Sequence, residues 1–242
     1  MATNDDDIFG AAIAKLERLA KLDDQDRAAI RALPCDVRSV PANSVLVRNG
    51  EETTQCALLL GGFACRQRAA GDGGRQIVSF HLPGDIVDLQ TVMLPRADHD
   101  VQTITPAKIG WMPTTALRAL IRERPNVADA LWCDTLIDGS IYREWVLNVG
   151  RRSARARIAH MLCEFAVRAA AGRSAPDRIQ LPMTQNDIAD ATGLTPVHVN
   201  RMLQELDRMD VIVRDKRDIR ITDWPALQRI ADFDARYLHA VA

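Results

Sequence analysis

The sequence predicts an α+β protein in three successive parts: an N-terminal jelly-roll barrel of the double-stranded β-helix type, a long helix, and a C-terminal pair of short helices followed by a hairpin. Three observations predict it. Between residues 35 and 115, short apolar runs alternate with turn signals. After Pro113, apolar residues recur at three- and four-residue steps. From Met183 to Ile212, helix-favouring sequence holds a glycine and a proline three residues apart.

The N-terminal stretch reads as helix from about residue 8 to 33, with Ile8, Phe9, Ile13, Leu16, Leu19 and Leu22 at helical spacing. Asp23 or Asp24 can cap a second short helix over "QDRAAIRAL", which Pro34 ends. The strand region follows: "SVLVRNGEE", "CALLLGGFACRQRAAGDGGRQIVSFHLPGDIVDL" and "VQTITPAKIGWMP". Asn49-Gly50, Gly61-Gly62, Gly71–Gly74 and Pro83-Gly84-Asp85 punctuate it as turns. Alternating strands around such turns predict an antiparallel double-sheet barrel.

"TTALRALIRERP" then reads as one helix and "PNVADALWCDTLIDGSIYREWVLNV" as a longer one, with Pro125 in its first turn. A run of that length spans roughly 37 Å and outreaches a small barrel, so part of it needs another partner. Its apolar residues form a broad stripe rather than a strict heptad. The stripe predicts a dimer interface containing Leu131, Ile137, Ile141 and Trp145, with Gly139 permitting close approach. The competing reading lays this helix on its own barrel. Gly150 is expected to interrupt the helix and serve as a hinge, and Ser153 to cap the helix that follows. A loop is expected over Gly172–Pro176 and a strand over "RIQLPM".

The next segment carries the functional reading. Thr184 can cap a short helix with Asp187 three residues on, and Gly193 ends it in a left-handed turn. Thr195 caps the next helix, and Pro196 occupies its first position, where a missing N–H costs nothing. Ile188, Ala189, Leu194, Val199, Met202, Leu203 and Leu206 form the expected interior. This is a helix-turn-helix, and "VIVRDKRDIRIT" reads as a wing behind it. Thr195, Pro196, Val197, His198, Asn200 and Arg201 stand at the N-terminal half of the second helix, where side chains reach base edges in a major groove. Arginine can grip guanine and asparagine adenine, each through two hydrogen bonds. Gln185 and Asn186, with Arg214, Lys216 and Arg217 in the wing, are expected at phosphates.

Composition bounds the rest. At 242 residues, 47% hydrophobic, the chain can bury the core of one or two domains. Its net charge of −1 hides an asymmetry: residues 150–242 hold 15 Lys/Arg against 12 Asp/Glu, a hint of a polyanionic partner. The start, "MATNDDDIFGAAIAKLERLAKL", lacks the marks of a secretory signal, and no run approaches the roughly 20 apolar residues of a membrane span. The expectation is a cytoplasmic protein with no membrane partner. Five cysteines without a C-x-x-C pair predict neither a disulfide framework nor a metal site. Cys163, near Arg155 and Arg157 in sequence, is the one redox candidate. No catalytic constellation is visible: His81 and His99 stand alone, without the His-x-His pair of a cupin-type metal enzyme.

From about residue 10 to 235 the chain resembles the bacterial transcription factors of the Crp/Fnr family, that of the cyclic-AMP receptor protein and the fumarate–nitrate regulator. "GEE" at Gly50–Glu52 and "LPGDIVDLQTVM" at Leu82–Met93 are similar to its cyclic-nucleotide-binding-like barrel, and "TQNDIADATGLTPVHVNRMLQEL" to its DNA-binding motif. The resemblance implies a homodimer on a palindromic operator, a sensor barrel over 1–124, a dimerisation helix and hinge over 125–150, a winged helix-turn-helix over 151–242, and RNA polymerase as a partner. It also exposes departures. Where cyclic-AMP-binding members carry Gly-Glu and Arg-Ser, this chain reads Asp88-Leu89 and His99-Asp100; with Asp98 these acids would repel a phosphate. The effector is therefore open, with Asp88, Leu89, His99, Tyr142 and Arg143 as candidate contacts and no cofactor assigned. No N-terminal cysteine cluster precedes Cys35 for an iron–sulfur centre, and His81, His99 and His160 are the histidines a haem would need. Val197 stands where family members often hold a base-reading glutamate, and offers apolar contact such as with a thymine methyl. His198 and Asn200 are expected to take over readout, and Arg201 matches the family's arginine. The alternative is a nucleotide-binding regulatory subunit acting through a protein partner.

Overall fold

The structure, a computed structural model, describes residues 7–170 and 178–239; the loop expected at 172–176 lies outside them. Two compact units divide the chain: residues 1–67 with 80–138, and residues 68–79 with 139–242.

In the first unit, α1 (Gly10–Leu16) and α2 (Asp24–Arg31) precede the strands. Asp23, not Asp24, caps α2: its side chain accepts from the Asp26 amide at 2.7 Å while Asp26 returns the bond at 3.1 Å. Eight strands follow: β1 (Asp36–Val40), β2 (Val45–Val47), β3 (Gln55–Gly61), β4 (Ala64–Ala69), β5 (Arg75–His81), β6 (Ile86–Val87), β7 (Asp100–Thr103) and β8 (Ala107–Pro113). They form two four-stranded sheets, β1-β8-β3-β6 and β2-β7-β4-β5, the non-sequential order of a jelly roll. β3 shows why the barrel closes. Cys56, Ala57, Leu58 and Leu59 are all buried, and alternation sends them to opposite faces. Cys56 and Leu58 join Phe9, Ile13, Leu117 and Leu131 in a cluster beneath the helices, while Ala57 and Leu59 join Val87, Val101 and Ile109 inside the barrel. Gly62 turns the chain from β3 to β4 at φ +82°, where a Cβ would come within 2.4 Å of the Pro106 carbonyl oxygen, so only glycine fits.

Helix α3 (Thr114–Glu123) leads to α4 (Pro125–Arg151), 27 residues or about 40 Å long. Gly150 does not interrupt it. The helix continues through the glycine, whose flanks are open, and breaks at Arg152-Ser153; Ser153 then caps α5 (Ala154–Ala170) through the Ala156 amide at 3.3 Å. The faces of α4 also differ from expectation. Leu131, Ile141 and Trp145 are buried within their own chain and Ile137 is half-buried. Trp132, Leu136, Val146 and Leu147 are the exposed large apolar residues, and the first three follow one another with Gly139, Arg143 and Gly150 at alternating four- and three-residue steps. That is heptad spacing. Because apolar side chains surround the helix, the sequence alone showed a broad stripe.

In the second unit α5 is the central element, burying Ile158, Leu162, Cys163 and Phe165, with α6 (Gln185–Thr192), α7 (Pro196–Arg208) and α8 (Trp224–Ala231) packed on it. A three-stranded antiparallel sheet, β10 (Ile212–Asp215), β11 (Asp218–Ile221) and β9 (Arg178–Gln180) in that order, completes it. No helix among the described residues is long and apolar enough to cross a membrane.

Candidate nucleic-acid interface

The helix pair of the second unit is built by its caps. The Thr184 hydroxyl accepts from the Asp187 amide at 3.1 Å, and Asp187 accepts from the Thr184 amide at 2.9 Å. Gly193 ends α6 at φ +66°. Thr195 caps α7 through the His198 amide at 3.2 Å, with Pro196 next to it. Ile188, Ala189, Val199, Met202, Leu203 and Leu206 are buried and Leu194 is half-buried, so α7 turns one face inward and presents the other to solvent.

On that outer face Thr195, Pro196, Val197 and Arg201 are exposed, Val197 to 82%, and His198 is half-buried. An apolar side chain so open at the second position of a helix has nothing of its own chain to cover it. Asn186, Lys216 and Arg217 are also exposed, with Lys216 in the left-handed region (φ +54°) at the tip of the β10–β11 hairpin. Three of the residues expected to meet nucleic acid also meet each other. The Asn200 side-chain oxygen accepts from Arg214 Nη1 at 2.8 Å and from Gln185 Nε2 at 3.4 Å. The Arg214 guanidinium is thus turned toward α7, and the Asn200 oxygen accepts from two side chains.

Sequence reasoning missed Arg75. Residues 68–79, the end of β4, the turn after it and most of β5, belong to the second unit, and Arg75 there bonds both Asp187 and Asp190 of α6 at 2.7 Å. Gln76 Nε2 donates to the Ala191 carbonyl at 3.2 Å. Burial would raise the Asp187 carboxyl; the Thr184 hydrogen bonds and the Arg75 charge overcome it and hold the group below the usual carboxylate range. Only pairing across 112 residues reveals this contact, and no local pattern signals it.

Of the effector candidates, Asp88, Leu89 and His99 lie in the first unit. Asp88 is buried at φ +63°, and Leu89 packs on the apolar cluster beneath the helices. His99 is buried between acids, Nε2 at 3.2 Å from Asp88 and Nδ1 at 2.6 Å from Asp98. Asp100 accepts from the Asn49 amide at 2.9 Å. The same unit holds charges the sequence did not single out: buried Arg66, 3.6 Å from Asp138, and half-buried Lys15 between Asp85 and Asp134 at 2.9 and 2.7 Å. Tyr142 and Arg143 belong to the second unit, where Arg143 bonds Ser140 at 2.8 Å.

Cys163 lacks the electropositive, accessible setting that favours a thiolate. It is fully buried, and burial pushes it up to about 12, while Arg155 pairs with Glu205 and Arg157 with the Thr192 carbonyl.

Residues 156–230 match the Crp-like helix-turn-helix domain, and residues 37–124 match the cyclic nucleotide-binding domain. The chain is 30% identical over 224 residues to the transcriptional activator protein FnrL of Cereibacter sphaeroides, spanning 89% of this chain and 88% of that one. The chain belongs to the Crp/Fnr family. It is a transcription regulator of the Crp/Fnr type with a helix-turn-helix DNA-binding domain. Nitrogen fixation regulation protein FixK of Bradyrhizobium diazoefficiens is 29% identical over 179 residues, 74% of this chain and 75% of that one. The solved structure of FixK2 from Bradyrhizobium japonicum shares the fold at a TM-score of 0.76 and 24% identity, covering 83% of this chain and 99% of that one. Within this Crp/Fnr member, the positions that the sequence resemblance sets at a nucleotide site are acidic. A phosphodiester needs cationic and N–H donors. Asp88, Asp98 and Asp100 stand there instead, His99 is engaged by two of them, and Arg66 faces Asp138.

Proposed function

We propose that this Crp/Fnr regulator acts as a homodimer on an inverted-repeat operator, with α7 of each subunit in the major groove and α4 forming the subunit seam. The sensor barrel lies in residues 1–124, the dimerisation helix in 125–150 and the DNA reader in 151–242. The observation that carries the reading is the open outer face of α7: Val197 and Arg201 exposed at the N-terminal half of a capped, rigidly packed helix. Side chains there reach base edges, and Arg201 suits guanine O6 and N7. The exposed Lys216 and Arg217 of the wing and Asn186 at the start of α6 supply phosphate contacts, which position the protein without reading sequence. RNA polymerase is the partner that gives such binding a transcriptional output. The barrel takes a signal other than cyclic AMP, because acids occupy the phosphate position.

The test is Arg201→Ala. Its side chain is exposed on α7, so the fold and oligomeric state should persist. Operator-specific binding should weaken about five- to 150-fold, measured by fluorescence anisotropy on a duplex selected with the wild type. Equal affinity of variant and wild type for that duplex would refute the placement of α7.

A further inference from the structure

We propose that Arg214 is a positioning residue for base readout: by occupying the Asn200 side-chain oxygen it leaves Asn200 only its amide N–H groups, so that Asn200 selects guanine and rejects adenine. The inference rests on the proposed placement of α7 in the major groove.

An asparagine side chain both donates and accepts hydrogen bonds. Its carbonyl oxygen accepts through two lone pairs and its nitrogen donates two hydrogens. Asparagine reads adenine by using both ends, the oxygen accepting from N6–H and the nitrogen donating to N7. Here the oxygen is taken. Arg214 Nη1 donates to it at 2.8 Å and Gln185 Nε2 at 3.4 Å. A guanidinium carries donors and no acceptor, so the atom it faces has to be the oxygen and not the nitrogen. Asn200 is the fifth residue of α7 and half-buried, and Arg214 is half-buried on β10, so the wing strand braces the recognition helix from behind. The Arg214 Nε also donates to the Lys216 carbonyl at 3.4 Å, which ties the same guanidinium to the hairpin turn.

A donor-only asparagine matches a base that offers two neighbouring acceptors. Guanine offers N7 and O6 to the major groove; adenine offers N7 beside its own N6–H donor, which would face a nitrogen with nothing to accept it. Thymine offers the single acceptor O4, so guanine, with two, is favoured over either base of an A·T pair.

Selection from a randomised duplex library measures this, using full-length wild type, Asn200→Ala and Arg214→Ala. The operator position whose preference disappears in Asn200→Ala is the one Asn200 reads. In the wild type that position should be a G·C pair, preferred over A·T by about five-fold or more. In Arg214→Ala the preference should fall to within about three-fold, as the freed oxygen accepts from adenine. Three results overturn the proposal: an A·T pair at that position in the wild type, no position altered by Asn200→Ala, or an unchanged preference in Arg214→Ala. The last is what a phosphate contact gives, since its loss weakens all sequences alike and lowers the salt slope by about one. Where Arg214→Ala fails to fold, the wild-type preference at the position that Asn200→Ala identifies decides the matter. Failure to enrich any sequence would overturn both this inference and the major-groove placement of α7, whereas enrichment with the wrong base overturns this inference alone.

Discussion

The indole N–H of Trp145 on α4 donates to the carboxylate of Glu164 on α5, 3.0 Å from Oε2, and both side chains are buried. The Tyr237 hydroxyl donates to the same oxygen at 2.7 Å, and Arg168 lies 3.4 Å from Oε1. One carboxylate thus joins the long helix, the central helix of the second unit and the chain after α8. Burial raises the Glu164 carboxyl above its ordinary value, opposed by Arg168, Tyr237 and Trp145.

Glu164→Ala should cost about 3–5 kcal/mol of unfolding free energy, because it strands buried donors and the Arg168 charge. The urea midpoint of the full chain reads it out. A midpoint within experimental scatter of wild type would mean that water replaces the carboxylate freely and that the cluster holds nothing together.

His160 gives a pH dependence of known sign. The ring is buried, 5.3 Å from Phe233 and 5.9 Å from Tyr237 between centroids. Burial first, then the Arg152 charge, pushes the imidazole down to about 3. Glu144 stands 3.3 Å from Nε2 but is bonded to Arg152 at 2.6 Å, so its charge is already met and the ring stays neutral. The folded value lies below the unfolded one of about 6.5, so the unfolded chain takes up the proton first. The stability this residue confers is complete above pH 6.5 and is lost as pH falls from there toward 3. His160→Gln cannot take up that proton. The stability difference between wild type and variant should shift against the wild type by up to about 1.4 kcal/mol per pH unit between pH 6 and 4; a flat difference would show that the ring charges in the folded state.

The turn between α6 and α7 was legible residue by residue, and α4 was not, and the reason is physical. Thr184, Asp187, Gly193, Thr195 and Pro196 act on backbone groups within four positions of themselves, so their spacing in the chain is their spacing in space. The face of α4 that turns inward depends on what packs beside it. With apolar residues all around the helix, Leu131, Ile141 and Trp145 looked as suited to an outer seam as Trp132, Leu136 and Val146. The strands were legible as a barrel from their turns, but the order β1-β8-β3-β6 needs pairings between residues some 70 apart. Arg75 on Asp187 and Arg214 on Asn200 were invisible for the same reason: a charged side chain in a strand or hairpin signals exposure, and only the fold reveals its partner.

Gly193 tests the local argument. Its φ of +66° is in the left-handed region, and a Cβ there would meet nothing closer than Arg157 Nη1 at 3.5 Å, an ordinary contact. The cost of Gly193→Ala is therefore backbone strain alone, about 1–2 kcal/mol, with DNA-binding specificity retained in the folded fraction. A loss well beyond that range, seen in thermal or urea unfolding, would indicate a steric conflict absent from this geometry.

The seam of α4 is decided by a pair of contrasting substitutions. Val146 is 70% exposed and lies on the stripe that runs through Trp132, Leu136, Gly139, Arg143 and Gly150, whereas Ile141, five residues earlier, is buried in its own chain. A glutamate on an exposed residue costs the single chain little, but at a heptad position it would place two carboxylates against each other across a twofold axis. Val146→Glu should therefore leave the urea midpoint of the isolated chain near its wild-type value while sedimentation equilibrium reports the mass of one subunit. Its affinity for an inverted repeat should drop toward that for a single half-site, since the second contact is no longer tethered to the first. Ile141→Ala should do the reverse, losing about 2–5 kcal/mol of stability through the cavity it leaves while the assembly keeps its mass under native conditions. If Val146→Glu stays dimeric and Ile141→Ala dissociates, the subunits meet on some other face, and the exposed stripe needs a different occupant.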